Sequence, residues 1–203
     1  MLLPDYRFVR CKFYAPIGAE AVRIENASVV GKWRTQPKKF YGEKEKTLAE
    51  RFINSSCEVS EVISFTTRYG PLSGSYWEGV GVGFAFTLES WRLNQLEFRR
   101  LWRVVQTSPQ MGPFQPLEGT TMEIRRGWLH LGCPDLWTFM TLELMSRPKK
   151  LRFCERPDCP HPYFMANHGK ERYCSTDCAN WAQSKWKKQW HEERRVKKLK
   201  NKR

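Results

Sequence analysis

Apolar residues recur along this chain with two different periods, and the period changes where glycine and proline cluster. From Met1 to about Lys39 the apolar runs are short, such as Ala21–Ile24 and Ser28–Trp33. Pro16, Gly18, Gly31 and Pro37 divide them, a pattern of short strands. Leu48–Ile53 predicts a short helix. In Glu58–Tyr69 the apolar positions Val59, Val62, Ile63 and Phe65 fall on one helical stripe, and Gly70-Pro71 stops it. Val80–Leu88 is rich in β-formers and carries Gly79, Gly81 and Gly83 beside or within it. It lacks the strand–GxGxxG–helix order and the Lys-Ser/Thr ending of a phosphate loop. A strand lying against close-packed backbone is the better reading.

Glu89–Gln106 has the pattern of an amphipathic helix, with Trp91, Leu96, Phe98, Leu101, Trp102 and Val105 set against Arg92, Glu97, Arg99 and Arg103. After the Pro/Gly-rich stretch Pro109–Gly119, Thr120–Ile124 and Trp128–Leu131 flank Arg125-Arg126-Gly127 as a hairpin. Pro134 is placed to open a helix running through Trp137, Phe139, Met140, Leu142 and Leu144 to about Arg147. The predicted architecture is α+β: a mixed domain over residues 1–146, a boundary at Pro148-Lys149-Lys150, and a separate segment over 147–203.

Composition sharpens this division. The chain has 203 residues, 40% of them hydrophobic, with nine Trp and twelve Phe, enough to build a packed core and to exclude global disorder. Its net charge is +14, and that charge is unevenly placed. Arg147–Arg203 holds 17 Lys/Arg against 6 Asp/Glu, a net +11, whereas Met1–Ser146 holds 18 against 15, a net +3. A near-neutral body joined to a strongly basic segment is the footprint of a nucleic-acid-binding tail. A solvated cationic surface is the plainer alternative.

Seven cysteines are present, and four cluster near the C-terminus. Cys11, Cys57 and Cys133 stand singly and read as buried thiols. The opening MLLPDYRFVR contains no signal-peptide apolar region, and no stretch is long enough to span a bilayer. The expectation is therefore a cytoplasmic protein without membrane insertion, in a reducing compartment that favours metal over disulfides.

The cluster reads LRFCERPDCPHPYFMANHGKERYCSTDCANWAQSKWKKQW from Leu151. Cys154 and Cys159 bracket Arg156-Pro157-Asp158, a turn sequence able to present two thiolates together. After fourteen intervening residues come Cys174 and Cys178, with Ser175 as N-cap and Cys178 at the third helical position. There the helix dipole favours a thiolate. Two short-range pairs converge on one ion with a single loop closure, so Cys154, Cys159, Cys174 and Cys178 are the candidate ligands of one structural Zn2+. The linker, with Tyr163-Phe164 and the polar turn Asn167-His168-Gly169-Lys170, reads as a small hairpin crossing between the pairs. Knuckle, hairpin and a ligand-bearing helix make a treble-clef-like arrangement. A three-cysteine site completed by His161 or His168 is the alternative. Lys170, Arg172 and Lys185 are placed to offset the negative charge of four thiolates.

Beyond the cluster, Trp186, Gln189 and Trp190 fall on the side of the helical wheel that holds Ala182, and the expectation is that this face docks onto the hairpin or the body. Lys187, Lys188, His191, Arg194, Arg195 and Lys198 fall opposite, as a phosphate-binding face. Base stacking by Trp186 or Trp190 is the alternative use of the aromatic face. Sequence readout falls to Asn180, Gln183, Ser184 and Lys185, since Asn and Gln pair bidentately with adenine. The candidate nucleic-acid contacts are thus Lys170, Arg172, Asn180, Lys185, Lys187, Lys188, Arg194, Arg195 and Lys198.

These residues resemble the bacterial CGNR-type zinc fingers. The first cysteine pair, the aromatic step Tyr163-Phe164 and the approach Arg172-Tyr173-Cys174-Ser175 carry the resemblance. The signature itself reads Cys178-Ala179-Asn180-Trp181, with Ala179 and Trp181 in the glycine and arginine positions. The resemblance is confined to the last quarter of the chain. It implies zinc binding and a DNA-binding transcription regulator whose residues 1–146 sense a signal or bind a partner. The alternative function is a zinc-stabilised protein-interaction module using the Trp face. RNA as the nucleic acid stays open, with DNA favoured. An enzyme is not expected: His130, His161, His168 and His191 form no acidic–His constellation, and Glu89, Glu97, Glu123 and Glu143 read as surface charges.

Overall fold

The computed structural model describes residues 11–40, 47–72, 83–107, 121–125 and 128–200. Its chain divides into two compact units, Met1–Pro148 and Lys149–Arg203. The mixture of helices and sheets is α+β.

The first unit is organised by β1 (Cys11–Glu25) and β2 (Ser28–Phe40). They are far longer than the short strands expected, because Gly18 and the Pro16 region bend β1 rather than end it. The β1–β2 register shifts between Ile17 and Ala19 and again between Glu20 and Arg23. Such bulges absorb the irregular residues without breaking the pairing. The first residues of β1, Cys11–Tyr14, pair in parallel with β5 (Trp128–Gly132), and the rest pairs antiparallel with β2. β3 (Gly83–Thr87) joins β2, and β4 (Thr121–Arg125) joins β5, giving the sheet order β3-β2-β1-β5-β4. The β4–β5 hairpin is as expected. The loop Pro109–Gly119, and Met1–Arg10, lie outside the described residues.

Helices α1 (Leu48–Asn54), α2 (Val59–Tyr69), α3 (Leu88–Thr107) and α4 (Leu136–Ser146) follow the predicted order. Gly70 ends α2 at φ 102°, and a Cβ there would sit 2.6 Å from the Trp33 ring, so glycine is required twice over. α4 starts two residues later than Pro134 suggested: Asp135 is the N-cap and accepts from the Thr138 N–H at 2.8 Å. α4 is apolar nearly all round and accordingly buried, with Leu136, Phe139, Met140, Leu142 and Leu144 each at most 2% exposed.

The core centres on Phe52 of α1, whose ring meets those of Trp91, Phe98 and Phe65 at centroid distances of 5.2, 5.6 and 6.0 Å. Short α1 is also held at both ends. At its start a Thr47–Glu50 capping box is reinforced by Glu143 of α4, which accepts from the Ala49 N–H at 3.1 Å. At its end the Gln95 amide of α3 donates to the Phe52 and Ser55 carbonyls, both at 2.9 Å. Cys57, expected to be buried, is exposed, and its thiol donates to Gln95 Oε1 at 3.1 Å; Cys133 is buried, and the Cys11 side chain lies outside the described ones.

Glu143 is not the surface charge that its sequence position implied. Loss of hydration raises its carboxyl from 4.5 to about 7, against the opposing pull of the Ala49 N–H and Arg147, with Glu50 adding to the rise. Glu89 and Glu97 are exposed as expected, and the Glu123 side chain lies outside the described ones.

Two outcomes follow from this packing. Phe52→Ala is expected to destabilise the protein by about 3–5 kcal/mol in urea unfolding, the range for aromatic-to-alanine changes in cores. The folded chain retains a Glu143 proton between pH 4.5 and about 7 that the unfolded chain has released. That contribution is present below pH 4.5 and lost as pH rises through about 7. Glu143→Gln cannot titrate, so its stability relative to wild type should rise from pH 4.5 to about 7 and level off above it; a flat difference would show that the carboxyl is hydrated.

Candidate metal centre

The second unit starts with a 3-10 turn, Pro148–Lys150, and a hairpin of β6 (Leu151–Phe153) and β7 (Tyr163–Met165). β7 pairs backward with β6, in the register Leu151–Met165 to Phe153–Tyr163. The linker between the cysteine pairs therefore does not form a hairpin of its own as expected. Tyr163 and Phe164 are 8% and 6% exposed on the strand paired with β6, Tyr163 with its ring 5.0 Å from that of Phe153 and Phe164 packed with Cys154, Ala166 and Cys178. The first cysteine pair consequently sits in the β6–β7 loop.

That loop is shaped by its own backbone. The Cys159 N–H donates to the Arg156 carbonyl at 3.2 Å, closing the Arg156-Pro157-Asp158 turn, and the Cys154 N–H donates to the Pro162 carbonyl at 2.7 Å. Arg156 holds Asp158 through two hydrogen bonds of 3.0 and 2.9 Å. Between the cysteine pairs, the Glu155 N–H donates to the Arg172 carbonyl at 3.1 Å, and Arg172 Nε donates to Glu155 Oε1 at 2.6 Å.

The second pair enters α5 (Thr176–Lys200) as the spacing predicts. Ser175 caps the helix, its Oγ accepting from the Cys178 N–H at 3.3 Å, and its carbonyl receives the Ala179 N–H at 3.1 Å. Cys178 is thus the third helical residue. Its sulfur lies 3.7 Å from that of Cys174 and 3.8 Å from that of Cys159, and the latter two are 3.4 Å apart. With Cys154 included, all four sulfurs lie within 4.8 Å of one another. A tetrahedron of thiolates at metal–sulfur bonds of about 2.3 Å has sulfur–sulfur edges of roughly 3.8 Å. The observed separations fit that figure, and the four cysteines could hold one metal ion. His161 and His168 are exposed and outside this group.

Electrostatics differ among the four. Burial opposes ionisation of Cys178, but the hydrogen bond with Ser175 and the neighbouring thiols outweigh it and bring the thiol down to about 7. Burial, then the surrounding thiols, push Cys174 well up. Burial also raises Cys159. A bound cation removes this conflict, since it stabilises all four thiolates together and displaces their protons. Arg156, which the sequence reading passed over, lies against Cys178 as well as Asp158. Its signal was present in the Arg-x-Asp turn between the first two cysteines. Arg172 is engaged with Glu155 rather than directed at the sulfurs.

Of the candidate nucleic-acid contacts, Lys170, Arg172, Asn180, Lys185, Lys187, Lys188, Arg194 and Arg195 are all exposed, and the Lys198 side chain lies outside the described ones. Lys185 Nζ lies 5.2 Å and Arg156 Cζ 5.7 Å from the Trp181 ring centroid. The tryptophan face does not dock onto the hairpin of its own unit: Trp186 is 68% and Trp190 40% exposed. Every residue from Gln183 to Arg195 is exposed, so α5 leaves the cluster after two turns and buries nothing along that stretch. The wheel separated Arg194 from the tryptophans, yet its guanidinium lies 4.0 Å from the Trp190 ring centroid. A four-residue offset keeps two long side chains adjacent.

No family model, curated protein or solved structure matches the chain. Among the described residues no helix is long and apolar enough to cross a membrane.

Elemental analysis of the purified protein should find one metal ion per chain. Cys174→Ser should abolish it and lower the helical signal of α5, whereas Cys57→Ser should leave both unchanged. Retention of metal by Cys174→Ser would remove that thiol from the site.

Proposed function

We propose that this protein is a nucleic-acid-binding protein whose cationic helix α5 is anchored by one structural zinc ion. The observation that carries the reading is a set of four thiols within 4.8 Å of one another at the start of a long, exposed helix. α5 bears eight Lys/Arg against three Asp/Glu, a net +5.

Four soft thiolates with no open position favour zinc in a closed, structural role over a catalytic metal. The loop pair, the β6–β7 hairpin and the ligand in the first turn of α5 support a treble-clef-like description. Polyanion binding follows from the charge: each Lys or Arg that meets a phosphate releases a counterion, which gives affinity without sequence information. Lys187, Lys188 and Arg195 project from the exposed part of the helix and suit that task. Asn180 and Gln183, exposed near the start of α5, are the side chains suited to base edges. The similarity to CGNR-type fingers adds a role in transcription regulation with DNA as the target. In this reading the first unit receives a signal or a protein partner.

The test is binding of the full-length, metal-loaded protein to labelled DNA across a salt series. Affinity should fall linearly in log–log form. Lys188→Gln and Arg195→Gln should each reduce the slope by about one, the value per phosphate contact on duplex DNA. Absence of salt-dependent affinity for any nucleic acid would sink this reading.

A further inference from the structure

The largest apolar side chains exposed on α5 are Trp186 and Trp190. At 68% and 40% exposure they forgo much of the largest hydrophobic gain a side chain can contribute. Two such tryptophans on one helix require an account. Ala182, Trp186, Trp190 and Arg194 succeed one another at four-residue steps, a single row along the helix. Ala182 is partly buried, so the row emerges from the metal unit and continues into solvent. Four residues of helix rise about 6 Å, close to the two roughly 3.4 Å intervals that one inserted base occupies in a stacked strand.

Charge identifies the occupant. Gln183 and Lys197, both exposed, lie beside the tryptophans on the helical wheel, and the exposed Arg194 reaches Trp190 from the next turn. Arg194 covers one Trp190 face at 4.0 Å from the ring centroid, a cation–π contact. An apolar protein partner would be forced to bury these cations around the rings. A polyanion that also presents flat π-faces satisfies both features. In a duplex those faces are hidden within the stack, whereas unpaired bases offer them freely.

We infer that α5 binds single-stranded nucleic acid, with unpaired bases stacking on Trp186 and Trp190 and with Lys187, Arg194 and Lys197 meeting the adjoining phosphates. This rests on the nucleic-acid reading above and names the form of its ligand. Arg194 fills a stacking position in the free protein, and an incoming base takes its place against the ring while the guanidinium swings to phosphate.

Fluorescence anisotropy at one salt concentration decides it, using the full-length, metal-loaded protein. The probes are a DNA single strand, its duplex, the same strand with abasic sites in place of bases, and the RNA strand of the same sequence. The single strand should bind more tightly than the duplex and the abasic strand. Trp186→Ala and Trp190→Ala should each cost about tenfold on the single strand and little on the abasic one. Both variants remove exposed side chains, so metal content and helicity should be unchanged. Trp186→Phe should restore most of the affinity and Trp186→Leu should not, because only phenylalanine keeps a π-face.

The DNA and RNA arms identify the natural strand: stacking alone predicts similar affinity for both, and either preference keeps the inference provided that it is lost with the tryptophans. Equal or tighter duplex binding that survives both alanine substitutions overturns the inference and leaves the nucleic-acid reading standing. Full affinity in Trp186→Leu also overturns it, since the contact is then apolar rather than stacked. No binding to any probe overturns both.

Discussion

The convergence of four sulfurs at the third residue of α5 is the constraint on which the C-terminal unit depends. That unit is too small to hold a long helix by burial. Its apolar centre amounts to Phe164, Ala166, Cys154 and Cys178, with Cys159, Tyr173 and Cys174 packed around them. A core of this size contributes little against the conformational entropy of ordering the chain, and small units usually need a staple. An ion held by the four thiols would supply it. It would fix the β6–β7 loop from Cys154 to Cys159, the approach at Cys174 and the first turn of α5 in one step, because each carries one or two of the thiols. Helix nucleation is costly and elongation is cheap. Fixing residues Thr176–Cys178 therefore removes the expensive part of forming α5. The remaining turns need only propensity, and Ala, Gln, Lys, Glu and Arg dominate them.

The same constraint explains why α5 can be almost wholly exposed. A helix anchored by packing must give one face to its support, and its sequence then shows a wide apolar stripe. A helix anchored at its N-terminus keeps all its faces for a ligand beyond the anchor. The first unit solves the opposite problem. There α1 has only seven residues, too few to persist alone, and it is held by aromatic packing on Phe52 and by side chains of α3 and α4 at its two ends. Gln95 and Glu143 are polar residues placed where an apolar neighbour would leave α1's terminal amides or carbonyls unpaired.

What the sequence disclosed follows the range of each signal. Local signals were legible: the Gly70 stop, the Ser175 cap with Cys178 three residues on, and the cysteine spacing all act within a turn of helix or loop. Non-local ones were not. Periodicity does not disclose that β1 bends and continues, since the bulges at Gly18 and beyond are stabilised by pairing with β2. It also does not disclose that β7 pairs with β6, although the polar turn at Asn167–Lys170 forms as expected, the Glu171 N–H donating to the His168 carbonyl at 3.2 Å. Glu143 looked like a surface charge because α4 has no polar face to compare it with, and only the arrival of α1 gives that carboxylate its partner. The wheel placed Trp186 and Trp190 together, but an amphipathic pattern does not say whether anything covers the apolar side.

Trp181 shows how the site and the helix join. On the resemblance to CGNR-type fingers it would stand at an arginine position, an exchange that taken alone would remove a cation from the start of α5. The ring, however, has Lys185 and Arg156 over it at 5.2 and 5.7 Å. Lys185 comes from the next turn of the helix and Arg156 from the cysteine loop. The positive charge is thus supplied by neighbours that the aromatic face itself positions. Arg156 also faces Cys178 and Asp158. A thiolate, a carboxylate, two cations and an indole then form one continuous patch from the metal ligands to the exposed helix. On the nucleic-acid reading, that patch makes the anchoring of α5 and its preference for aromatic and anionic ligands parts of the same local chemistry. The tryptophan is then less a lost arginine than a platform for two cations, set across the helix from the row of Trp186 and Trp190.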